Sequence, residues 1–296
     1  MNFNSDQLEA FCEVYRSGSF SKAAKTLSIS QPALSQRIQK LEEHLGTVLL
    51  IRTGRRVEPT ETGVKLFRLS SIRKELELSF LSELTAQSSD TVSGVLRIAG
   101  FSSVSRSVII PALSTLFEAN PHLQLELLTL ELHDLPEALE KRQTDYALTC
   151  EPIRFPNVTS KLLGFEEYVL VESRDKKTIR PHLYFDHDSK DQTTYEFLRA
   201  SKIKTDQIQR AFVDEVYSIM DVVERGWGRA VLPVHLVKKR PRLQIIEPLV
   251  PQRVSVYLNY FRHPFDSTLQ KRVLEVLFSN LPKYLSSGDE KTKKGT

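Results

Sequence analysis

The spacing of apolar residues changes character near residue 90, and that change limits the architectures open to the chain. Before it, apolar side chains recur every three or four positions; after Gly94, short β-prone runs alternate with helical segments. A mostly helical segment followed by a strand-helix alternation does not share one layered core, so an α+β multidomain chain is expected. The length of 296 residues suits two domains and a connecting element.

Leu8, Phe11, Cys12 and Tyr15 mark one stripe on a first helix opened by the capping candidates Asn4, Ser5 and Asp6 and ended at Ser17-Gly18-Ser19. A short second helix starts with Ser19 or Ser21 as its cap and carries the small pair Ala23-Ala24. Ser30 caps a third, from about Gln31 to Leu45, with Pro32 in the first turn and Gly46 at the C-terminal stop. At 100° per residue, Leu34, Ile38, Leu41 and Leu45 cluster on its buried side. Pro32, Ser35, Gln36, Gln39 and Lys40 remain outside, amide and hydroxyl groups able to meet base edges beside a lysine suited to phosphate. An ordinary solvated helix face is the alternative.

Val48 to Ile51 and Val57 flank the basic turn Arg52-Thr53-Gly54-Arg55-Arg56, a hairpin. Three helices and a basic hairpin describe a winged helix-turn-helix, whose third helix enters the major groove of double-stranded DNA. The net charge of +4 is a weak bias, but between Ser30 and Arg56 the basic residues Arg37, Lys40, Arg52, Arg55 and Arg56 face only Glu42 and Glu43. Thr60-Glu61-Thr62-Gly63 then opens a long helix with Leu69, Ile72, Leu76, Phe80 and Leu84 on one stripe. Pairing with a second copy buries that stripe; packing against its own chain is the alternative. The expected division is 1–62 for the winged domain, 63–90 for the linker helix and 91–296 for the remainder.

In that remainder the expected strands are Val95–Ala99, Leu123–Leu130 and Tyr146–Cys150, with helices at Ile109–Glu118 and Leu135–Arg142 between them. A second set follows: strands at Tyr168–Val171, His182–Phe185, Gln209–Val213 and Ala230–Leu232, and helices at Thr193–Ala200 and Val216–Arg225. Ser255–Tyr260 reads as a returning strand and Leu269–Leu281 as a closing helix. This gives a two-lobed α/β clamp, lobe I about 92–151 and 255–285, lobe II about 152–254, with crossings near Cys150–Ile153 and Pro251–Ser255 and a ligand cleft between. No apolar run reaches the roughly 18 residues of a membrane helix, and MNFNSDQLEAF lacks a secretory pattern, so no membrane partner is expected.

Ser, His and Asp all occur in the α/β portion, so an enzyme is the rival class, but there is no G-x-S-x-G, G-x-x-x-x-G-K-[ST], H-E-x-x-H or C-x-x-C. No cofactor and no catalytic or metal residue is assigned. Asp186-His187-Asp188 reads as a solvated loop, and Cys150, without a resolving cysteine nearby, as packing. A small-molecule binding protein without DNA activity is a third reading, one with no use for Arg52 to Arg56.

Ala23-Ala24, Ser30-Gln31-Pro32-Ala33-Leu34-Ser35, Leu41-Glu42, Leu45-Gly46 and Thr60-Glu61-Thr62-Gly63 closely resemble the N-terminal domain of LysR-type transcriptional regulators. Leu96-Arg97-Ile98-Ala99-Gly100, Pro111, Pro121, Asp145, Gly226-Trp227-Gly228 and Pro233 follow in that family's order. The resemblance implies a cytoplasmic homodimer or homotetramer whose periplasmic-binding-protein-like clamp senses a small-molecule effector. It implies base contacts from Gln31, Pro32, Ser35 and Gln36 and phosphate contacts from Arg52, Arg55 or Arg56. The order Gln36-Arg37 departs from the arginine-then-glutamine of many members and alters base preference, since glutamine suits adenine and arginine guanine. In the clamp it points to Ser102, with Ser103, Phe185 and Asp186 as further cleft candidates; helix capping is the alternative for the two serines. Val104, Glu131 and Leu132 depart from the family pattern, so the effector cannot be borrowed from a relative.

Overall fold

The computed structural model describes residues 4–53, 56–85, 92–246, 252–262 and 267–286, so Arg55 lies outside the described residues. Local signals start and stop the first helices. The Asn4 side chain accepts the N–H groups of Asp6 and Gln7 ahead of α1 (Ser5–Ser17), and Gly18 ends it at φ 61°. Ser19 caps α2 (Phe20–Thr26), and Ser30 caps α3 (Gln31–Leu45), which carries Pro32 in its first turn and stops at Gly46 with φ 64°.

Leu8, Phe11, Leu34, Ile38, Leu41 and Leu49 form one buried core. The antiparallel wing, β1 (Leu50–Thr53) and β2 (Arg56–Pro59), is anchored by Glu42, whose Oε1 accepts the N–H groups of Leu49 at 2.7 Å and Leu50 at 3.2 Å. One of the two acids counted against the basic segment therefore serves the backbone.

Thr60 starts α4 (Glu61–Thr85): its hydroxyl oxygen accepts the Gly63 N–H and its proton goes to the Val48 carbonyl. A Cβ at position 63 would stand 2.3 Å from the Leu49 carbonyl oxygen, so only glycine allows the helix this close to the wing. Leu66 and Phe67 join the N-terminal core, and Phe67 stacks on Tyr15 with ring centroids 3.9 Å apart. The core thus continues into the helix past residue 62.

β3 (Gly94–Gly100) leads into α5 (Ser102–Val104), a π turn over Ser105–Ile109, and α6 (Ile110–Ala119). This helical segment begins before the expected Ile109, because Ser103, Ser105 and Ser107 are buried polar residues that mask its periodicity. β4 (Leu123–Thr129), α7 (Leu135–Glu140) and β5 (Tyr146–Thr149) follow, with β3 parallel to both neighbours.

The crossing expected near Cys150–Ile153 is instead the long strand β6 (Val158–Ser173). Its charged residues Lys161, Glu166 and Glu167 hide it from a search for apolar runs. Lobe II contributes β7 (Leu183–Asp186), α8 (Thr193–Ala200), β8 (Gln209–Phe212), α9 (Val216–Glu224), β9 (Ala230–Pro233), α10 (Val234–Val237) and β10 (Leu243–Ile245). The return strand β11 (Gln252–Phe261) runs antiparallel to β6, and α11 (Thr268–Asn280) closes lobe I. Through β6 and β11 the lobes share one seven-stranded sheet in the order β10-β6-β11-β5-β3-β4, with β9 also on β6; β7 and β8 form a separate parallel pair.

Candidate nucleic-acid interface and interlobe cleft

On α3, Gln31, Pro32, Gln36, Gln39 and Lys40 are exposed and Ser35 is half-buried, as the helical wheel requires. The Gln31 Oε1 accepts from the Ser21 hydroxyl at 3.1 Å, which joins α2 to the start of α3, and Gln39 Nε2 donates to Glu43 Oε1 at 2.9 Å. Arg37 turns the other way: its Nη2 lies 3.3 Å from Asp6 Oδ2 on α1. Arg52 is exposed on the wing, with its guanidinium 4.4 Å from the Phe20 ring centroid, so the aromatic face holds the cation in place. Arg56 sits in β2. One surface therefore carries neutral amides and a hydroxyl on a helix, flanked by Lys40 and Arg52.

On α4, Leu69, Leu76 and Phe80 are 52%, 43% and 61% exposed, and Ile72 is half-buried. The stripe is not covered by its own chain among the described residues.

Between the lobes the polar groups point inward. Ser102, at the start of α5, is half-buried, and Ser103 is buried with its hydroxyl donating to Glu166 Oε1 at 2.7 Å. Glu166, on β6, is fully buried. Its Oε1 also meets His235 Nε2 from α10 at 2.7 Å, and its Oε2 accepts from the Tyr168 hydroxyl at 3.1 Å. The other ring nitrogen of His235 lies 3.0 Å from Ser107 Oγ, whose hydroxyl donates to the Ser103 carbonyl. A hydroxyl has one proton. With that proton directed to the Ser103 carbonyl, Ser107 Oγ faces His235 Nδ1, and Nε2 faces the carboxylate.

One carboxylate thus ties lobe I, the crossing strand and lobe II together. Ser107, His235 and Glu166 stand in the order of a nucleophile relay, but Ser107 is 3% exposed and its hydroxyl faces the Ser103 carbonyl. Burial, with Glu166 nearby, pushes the Tyr168 hydroxyl well above its usual range and the Cys150 thiol up to about 12.

Phe185 and Asp186 are packed within lobe II. Phe185 belongs to the lobe II core. Asp186 is buried and accepts from Thr194 Oγ1 and Arg210 Nε, and desolvation still raises its carboxyl above the usual value. The side chains of Asp186-His187-Asp188 diverge. Asp188 accepts the backbone N–H groups of Lys190 and Asp191, whereas His187 Nε2 reaches Glu131 Oε1 at 3.4 Å and Asp214 Oδ1 at 3.2 Å.

Residues 5–64 match the family described as bacterial regulatory helix-turn-helix protein, lysR family, and residues 89–281 match the LysR substrate binding domain. The chain belongs to the LysR family. Its two matched regions are a regulatory helix-turn-helix domain and, after it, a substrate-binding domain. Among curated relatives, the HTH-type transcriptional regulator CrgA of Neisseria meningitidis is 34% identical over 132 residues, 44% of each chain. The alignments to the first curated relatives span 44% and 64% of those proteins' lengths.

Two solved structures share the fold over almost the whole chain. ArgP from Mycobacterium tuberculosis superposes with a TM-score of 0.74 at 21% identity, covering 97% of this chain and 100% of its own. Full-length LysG from Corynebacterium glutamicum with bound effector Arg gives 0.70 at 19%, covering 96% and 100%.

For this LysR-family chain, motif reading found the exposed face of α3 and missed Glu166, Tyr168, Ser107 and His235. One signal was present: Glu166 interrupts the β-prone run Phe165-Glu166-Glu167-Tyr168-Val169, and Ser103 and Ser107 share a helical face four residues apart.

Proposed function

We propose that α3 reads base edges in the major groove with Gln31, Pro32, Ser35, Gln36 and Gln39, while Lys40, Arg52, Arg55 and Arg56 hold phosphates. Arg37, turned to Asp6, supports the helix from behind and adds positive charge near the backbone. The observation that carries this reading is the amide-rich exposed face of α3 beside the cation that Phe20 holds on the wing. The uncovered stripe of Leu69, Ile72, Leu76 and Phe80 seats the same helix of a second copy, giving a homodimer and, through further contacts, a homotetramer.

Residues 1–62, 63–90 and 91–296 serve as reader, linker and sensor, in a cytoplasmic protein that regulates rather than catalyses. No helix among the described residues is long and apolar enough to cross a membrane. The effector enters between the lobes near Ser102 and Ser103 and shifts the population of lobe arrangements, which reorients the paired readers.

Gel-shift titration over a range of salt tests the reading. A reader of duplex DNA loses affinity steeply as salt rises. A chain that binds no duplex at low salt, or binds with no salt slope, overturns it.

A further inference from the structure

We propose that Glu131, His187 and Asp214 form a divalent transition-metal site that clips lobe I to lobe II. The site deepens the sensing role given above, and its regulatory meaning rests on that reading. Glu131 follows β4 in lobe I, His187 follows β7 and Asp214 follows β8 in lobe II, so three separate loops at the carboxyl ends of parallel strands meet here. Their ligand atoms all lie within 4.8 Å of one another.

Two carboxylates held this close repel each other, and the one nitrogen between them carries at most one proton. His187 Nε2, 3.4 Å from Glu131 and 3.2 Å from Asp214, can therefore satisfy only one of them well. A cation among the three groups satisfies both carboxylates and takes the imidazole lone pair.

The His187 backbone N–H donates to Asp191 Oδ2 at 3.2 Å, which fixes the loop, and the neighbouring Asp186 and Asp188 are occupied elsewhere. The loop thus presents the imidazole alone, and the two acids come to it from other segments. An imidazole with two carboxylates is a nitrogen and oxygen donor set suited to Zn²⁺ or a similar first-row ion, while Mg²⁺ and Ca²⁺ prefer oxygen alone. Three protein ligands leave a fourth position for water or for a donor atom of an effector. Because Glu131 reaches the other two only when the lobes stand as they do here, the ion binds this arrangement best and stabilises it by linkage.

The test uses the full chain, freed of metal by a chelator and titrated with Zn²⁺ by calorimetry, with Co²⁺ absorption reporting the ligand set. One equivalent is expected. His187→Ala should weaken it by about tenfold or more, since a ligand matters at least as much as an outer-shell partner, and Glu131→Gln should abolish the compaction that Zn²⁺ causes in small-angle scattering. His122→Ala, on an exposed residue just before the start of β4, should change neither, and unaltered metal-free melting of each variant shows that it folds.

No binding, or equal binding by His187→Ala, overturns the site; binding without Zn²⁺-dependent compaction overturns the clip. These measurements contain no DNA, so a failed gel shift would remove the regulatory reading and leave the metal result standing.

Discussion

The two surfaces treat their polar groups in opposite ways. On α3, Gln36, Gln39 and Lys40 face solvent, and the glutamines there make only exposed bonds among the described residues, Gln39 to Glu43 and Gln31 from Ser21. In the cleft, Glu166 is fully buried and accepts from Ser103, Tyr168 and His235. The reader needs no rearrangement to meet a partner. If the effector enters beside Ser103, as proposed, it competes with Glu166 for that hydroxyl and pays a conformational cost that the exposed face of α3 does not.

If that contrast is right, the largest effect comes from emptying the cleft. Glu166→Ala leaves the donors of Ser103, Tyr168 and His235 buried without their acceptor and should destabilise the sensor by about 3–5 kcal/mol, the range for breaking a buried pair. Trp227, the single tryptophan, lies in lobe II, so its fluorescence during urea unfolding reads this domain. An unshifted midpoint would break the comparison. Glu166→Gln keeps the shape but loses the charge, and should fall between the two.

Gly63→Ala probes the other region. Its Cβ would stand 2.3 Å from the Leu49 carbonyl, a backbone atom that a side-chain rotation cannot move aside. Overpacking of this kind costs about 1–3 kcal/mol, here falling on the N-terminal unit and leaving the Trp227 transition in place. Circular dichroism of the helices should show the earlier transition. Coincident shifts in both probes would mean that the two units unfold together.

Gln36→Ala should leave both transitions alone and relax discrimination at one or two base pairs, by about 1–3 kcal/mol if its amide makes a bidentate contact. Arg52→Ala should weaken all sequences nearly equally and reduce the salt slope by about one. Gel shifts on a panel of single-base operator variants separate the two. Equal loss of specificity from both substitutions would refute the division of labour between helix and wing.

The same contrast explains what could be read from residues alone. Asn4, Ser19, Ser30 and Gly46 act on backbone groups within four residues of themselves, so caps and a 100° wheel suffice to place α1 to α3 and the outer face of α3. Arg37 escaped that reading because its direction is set by Asp6 on another helix. In the cleft the bonds that join the separate elements are of that second kind. Ser103 and Glu166 are 63 residues apart, Glu166 and His235 69, and Ser107 and His235 128. No spacing rule connects them; only the crossing of β6 and β11 does. The partners of Asp186 are hidden for a related reason, since the end of a parallel strand suggests a ligand site while Arg210 and Thr194, from neighbouring elements, take the carboxylate.

The smallest effect tests whether the cleft's charge is felt beyond its hydrogen bonds. Burial first, then Glu166 and Glu151, push the Cys150 thiol up to about 12. A thiol in an unfolded chain titrates near about 8.5, so the folded state favours the protonated sulfur. The associated stability is fully present below the unfolded value and is lost as pH rises from there toward the folded one. Iodoacetamide should therefore modify native Cys150 slowly near about pH 8 and gain little speed through the range where a model thiol ionises. Glu166→Gln removes one of the raising charges but not the burial, so it should lower the midpoint while keeping it above that of the free thiol. A native Cys150 that reacts like a free thiol near neutral pH would show that neither burial nor the neighbouring carboxylates shield the sulfur, and the closed, self-satisfied cleft would lose its nearest witness.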